Sequence, residues 1–81
     1  MSPPQRYKLE FTLHVYNTSM QSVKNSLAEF GDNFMISDSS DPREKGSDFS
    51  VSINTEDPAL VFDICSQFGR IRSAKIDEEG G

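Results

Sequence analysis

Between Tyr7 and Tyr16 the chain alternates without a break. Tyr7, Leu9, Phe11, Leu13 and Val15 interleave with Lys8, Glu10, Thr12, His14 and Tyr16. A period of two held this long specifies a strand with one face in a core and one face in water, and it excludes a helix as the first element. Whatever follows must supply partners for that strand's edges and a cover for its apolar face. The chain has 81 residues in which to do so, enough for one small domain and too few for two.

The period then changes. Asn17-Thr18-Ser19 offers N-cap chemistry, and Met20, Val23, Leu27 and Phe30 follow at spacings of three and four, with Gly31 read as the closing residue. Phe34 and Ile36 alternate about Met35 and predict a short second strand. Residues 37–48 hold no large apolar side chain and read as a long, mobile, exposed loop. Phe49, Val51 and Ile53 alternate with Ser50, Ser52 and Asn54, giving a third strand. Thr55-Glu56-Asp57-Pro58 is a helix start, with Asp57 as cap and Pro58 at the first helical position. Leu60, Val61, Ile64, Cys65 and Phe68 form the stripe of that helix, and Gly69 ends it. Residues 70–76 make a last strand whose phase slips between Ile71 and Ala74, so a bulge or an edge position is expected. Residues 1–6 read as a disordered lead-in, residues 7–76 as the domain, and residues 77–81 as an acidic flexible tail.

The element order, strand–helix–strand–strand–helix–strand, resembles the ferredoxin-like α/β plait. The resemblance implies an α+β fold: a four-stranded antiparallel sheet in the order 4-1-3-2, with two helices on one face. It places strands 1 and 3 in the middle, in keeping with their clean alternation, and leaves a polar face built on Thr12, His14, Ser50 and Ser52. Among families of this fold, the small size and polar open face are most similar to ACT-like regulatory domains. The acid–x–Pro–Gly turn often found in that group is absent.

Composition and motifs narrow the function by elimination. Thirteen acidic residues against eight basic ones give a net charge of −5, a poor match to a phosphate backbone. The central strands also lack the aromatic rings on which RNA bases stack, so a nucleic-acid partner is disfavoured. Nine of the acids lie in the long loop, at the second helix start or in the tail, so the folded body is nearly neutral and the missing aromatics carry more of that exclusion. One cysteine rules out an internal disulfide and any multi-thiolate metal site. The first strand–helix turn, Tyr16-Asn17-Thr18-Ser19, has neither the paired cysteines of copper carriers nor the glycine-rich cradle and arginine of acylphosphatase-like enzymes. His14 lacks a partner nearby in sequence. The chain therefore reads as non-catalytic and without a cofactor. No apolar stretch reaches the roughly 20 residues needed to span a bilayer, and a cytoplasmic setting is expected.

The reading that remains is a binding, regulatory or dimerisation module with a homodimeric or other protein partner. The edge of strand 4 or strand 2, or the open face, would serve for pairing, with Thr12, His14, Ser50, Ser52 and Arg72 as interface candidates. A second reading is a sensor of a small anion or amino acid. There the first helix lacks an acid in its opening turn, and Asn17, Thr18 and Ser19 would meet Arg43 and Lys45 from the long loop. A third is a carrier or modifier that uses the terminal Gly80-Gly81.

Overall fold

The computed structural model describes residues 5–79, the last of them by its backbone alone. The elements are β1 (Arg6–Val15), α1 (Met20–Leu27), β2 (Asp32–Asp38), β3 (Ser47–Thr55), α2 (Pro58–Phe68) and β4 (Gly69–Glu79). They form one antiparallel sheet in the order β2-β3-β1-β4, which is the expected plait with its two cleanest strands at the centre.

The alternation of β1 has the expected consequence. Leu9, Phe11, Leu13 and Val15 are buried and meet Phe49, Val51 and Ile53 of β3 and Val23, Leu27, Val61 and Cys65 of the two helices. Removing a fully buried leucine from such a core costs about 2–5 kcal/mol. Phe62 adds an edge-to-face contact with Phe11, ring centroids 5.5 Å apart. Both helix starts follow from local chemistry. The Ser19 hydroxyl accepts from the Ser22 N–H at 3.2 Å, and Asp57 accepts from the Leu60 N–H at 3.1 Å with Pro58 at the first position. The buried Thr55 hydroxyl donates to the Phe30 carbonyl at 2.7 Å and accepts from the Asp57 N–H at 3.1 Å. It ties the end of β3 to the turn before β2.

Several boundaries differ from those read in the sequence. Helix α1 stops at Leu27, with Ala28 as its cap, short of Gly31. Phe30 lies outside the helix, its N–H donating to the Leu27 carbonyl at 3.0 Å. Strand β2 begins earlier and carries a register shift, with Asn33 at φ 53°. Strand β4 runs to Glu79, and Asp77 pairs opposite Lys8, a favourable cross-strand charge pair. The phase slip in β4 is a bulge. The register shifts opposite Phe11, and Ser73 adopts φ 53° there. Gly80 and Gly81 lie outside the described residues.

Candidate functional site

With the odd residues of β1 in the core, its even residues face the helix-free side, and the register sets the neighbours of each. One row across this face holds Arg70, His14 and Asp48. The next holds Arg72, Thr12, Ser50 and Ser37. A third holds Lys75, Glu10, Ser52 and Met35. The basic residues of β4 thus stand in a single column beside β1.

The middle and third rows enclose a groove of about 370 Å³, whose rim and floor include Thr12, Ser50, Ser52, Met35 and Lys75. Met35 is 70% exposed, an apolar side chain surrounded by hydroxyls. Thr12, Ser50 and Ser52, the interface candidates, are brought together here. His14 and Arg72 belong to the neighbouring cavity.

His14 stands apart from the others because it is only 6% exposed on a face that no helix covers. Three groups close over it. The Asp48 carboxylate, directly opposite on β3, hydrogen-bonds its Nδ1. The Tyr16 ring meets it edge-on at 5.0 Å. Glu44, from the loop between β2 and β3, brings its carboxylate within 4.8 Å of the His14 and Asp48 ligand atoms and to 3.9 Å from Arg72 Nη1. The loop therefore folds back over the end of the sheet. Gly46 makes this return: at φ +85° it occupies the left-handed region, and a Cβ there would sit 2.6 Å from the Val15 carbonyl oxygen.

The loop is built from its own polar groups. The Asp38 carboxylate accepts from the hydroxyl and the N–H of Ser40, contacts that hold its pKa below the usual carboxylate value, the hydroxyl contributing most. The Arg43 N–H donates to Asp41 at 2.9 Å, and the Asp48 N–H donates to the Ser40 hydroxyl at 3.0 Å. On the far side of the turn, Ser19 caps its own helix and the Thr18 hydroxyl donates to the Tyr16 carbonyl at 3.4 Å. The loop and the β1–α1 turn do meet at one end of the sheet, through Gly46 and Tyr16. Among the described residues, no hydrogen bond or ion pair joins Arg43 or Lys45 to Asn17, Thr18 or Ser19.

A cavity lies beside His14, lined by Tyr16, Ser66, Arg70 and Arg72. Asp48, Glu44, Tyr16 and Arg70 are the members of this constellation that sequence reasoning missed. Register would have found Asp48 and Arg70, since both stand opposite His14. Cys65 is buried in the core, and burial pushes its thiol up to about 12, far from the range of a reactive thiolate.

Residues 5–78 match a family model that describes the FakA-like middle domain of fatty acid kinase. No curated protein and no solved structure matches the chain.

Proposed function

The chain belongs to the FakA-like middle-domain family of fatty acid kinase, and on that premise we propose that it is a non-catalytic association module that pairs with a second copy of itself. In this reading it works as an ACT-like regulatory domain does, through contact between sheets, inside a fatty acid kinase-type assembly. The observation that carries it is the groove on the helix-free face, where Met35 stands 70% exposed among Thr12, Ser50 and Ser52. An apolar side chain set in a ring of hydroxyls is the layout of an interface centre with a polar rim. The buried Cys65 thiol supplies no nucleophile, and Asp48 and the hairpin loop enclose His14.

Sedimentation velocity tests the reading. The wild-type chain is expected to sediment as a dimer, and Met35→Lys is expected to weaken pairing at least tenfold, about 1.4 kcal/mol. A wild-type chain that stays monomeric up to about 1 mM, where only an interaction weaker than roughly 4 kcal/mol would go undetected, ends it.

A further inference from the structure

Two guanidinium groups, Arg70 and Arg72, line the cavity beside His14. Arg70 has no hydrogen bond or ion pair with any described residue. Arg72 has one partner, Glu44, at 3.9 Å. That distance is too long for a hydrogen bond. Glu44 is half exposed, 52% by side chain, and it rides on the β2–β3 loop. His14 is held by Asp48 through Nδ1, which leaves its second ring nitrogen without a partner among the described residues. Cationic and neutral donors thus converge on one small space, while the single carboxylate at Arg72 arrives from a loop.

We propose that this cavity is a binding site for a small oxyanion headgroup, carboxylate or phosphate, and that Glu44 is an internal carboxylate holding the place at Arg72 until the ligand displaces it. Arginine suits the task because its fork of N–H donors matches the paired oxygens of either headgroup. Asp48 fixes the His14 ring, so the remaining nitrogen is presented in one orientation. Tyr16 and Ser66 add hydroxyls at the wall. A divalent cation on His14, Asp48 and Glu44 is the competing occupant, since their ligand atoms lie within 4.8 Å of one another. The adjacent Arg72 guanidinium, together with Arg70, opposes a second positive charge there. The site shares no residue with the groove assigned to association, so the two readings stand or fall separately.

The test is a titration of the ¹⁵N-labelled chain with inorganic phosphate and, separately, with acetate, against chloride at matched ionic strength and against Zn²⁺. Saturable shifts at residues 14, 16, 44, 70 and 72 are expected with an oxyanion, and the tighter of the two names the headgroup. Arg72→Gln is expected to weaken binding about tenfold, as loss of a charge-assisted pair does. Glu44→Gln, on the exposed loop, is expected to tighten it about two- to fivefold, the scale of an exposed ion pair. A purely structural Glu44 would give no tightening, and that result overturns the displacement. Shifts that follow chloride, or saturation by Zn²⁺ with none by either anion, overturn the site. Dispersed amide spectra of each variant confirm folding, and Arg70→Gln repeats the test should Arg72→Gln unfold.

Discussion

Cys65 and His14 show how burial decides opposite roles for two residues that each occur once in the chain. Cys65 sits at the centre of the α2 stripe with no exposed surface, and loss of water raises its thiol from 9.0 to about 12. Because the folded value lies above the unfolded one, the neutral thiol contributes stability at every pH below about 9. That contribution fades as the pH climbs from there through about 12. Urea midpoints of the native chain are therefore expected to fall between pH 8 and roughly pH 11 by more than those of Cys65→Ala, and the folded thiol is expected to resist maleimide at pH 8. Equal pH dependence in the two chains, or rapid labelling, refutes this. His14 is buried by polar neighbours instead. Its parity alone predicts a wet residue, and residues 37–48, without a large apolar side chain, give no sign that their loop would return over it. Its cover depends on Asp48 standing opposite, and that register follows from how the hairpin closes at Gly46. Side-chain alternation sets which face a residue takes, and it does not set which residue of the next strand stands beside it.

At the scale of elements, the two central strands and both helix starts were legible because each rests on local chemistry: period two in β1 and β3, a serine cap before α1, and Asp57-Pro58 before α2. The ends were less so. Phe30 fits the α1 stripe, yet tertiary demands stop the helix at Leu27, since the Phe30 carbonyl is taken by the Thr55 hydroxyl. The phase slip in β4 was visible as Ile71 and Ala74 on opposite parities, and its cause is the bulge at Ser73. The bulge restores the pairing of Ile76 with Leu9 and sets Lys75 opposite Glu10 on the groove side. Ser73 holds φ 53°, where a β-branched residue is strained by about 1–2 kcal/mol and glycine is not. Ser73→Val is accordingly expected to lower stability by about 1–2 kcal/mol, with Ser73→Gly neutral or slightly stabilising. Denaturant unfolding of the pair measures the difference. A valine variant as stable as the glycine one shows that the bulge moves or dissolves at no cost. Both edge strands carry such an irregularity, at Asn33 in β2 and Ser73 in β4. Twisted, interrupted edges resist unspecific strand addition, which favours the face over the edges as the surface for pairing.

The whole molecule is a long, thin plait, 50 Å by 20 Å by 18 Å, in which two short helices cover only part of the sheet. On the helix side Ile76, far along β4, remains 51% exposed, and on the other side Met35 is 70% exposed. A domain of this size buries only about 60% of its unfolded surface, so burial gained on pairing forms a large fraction of its stability. The association reading then makes stability depend on concentration. If unfolding and dissociation coincide, each tenfold rise in protein concentration adds about 1.4 kcal/mol per mole of dimer. A hundredfold rise is expected to lift the thermal midpoint by roughly 5 °C or more. Met35→Lys is expected to abolish that dependence while leaving the dilute midpoint within a degree or two, because Met35 lies outside the core and contributes little to the isolated fold. Scanning calorimetry of both chains over that range separates the cases. A wild-type midpoint independent of concentration means that the sheet face is covered by something other than a second copy. A dependence that survives in Met35→Lys moves the pairing surface away from the groove, to the exposed end of β4 around Ile76.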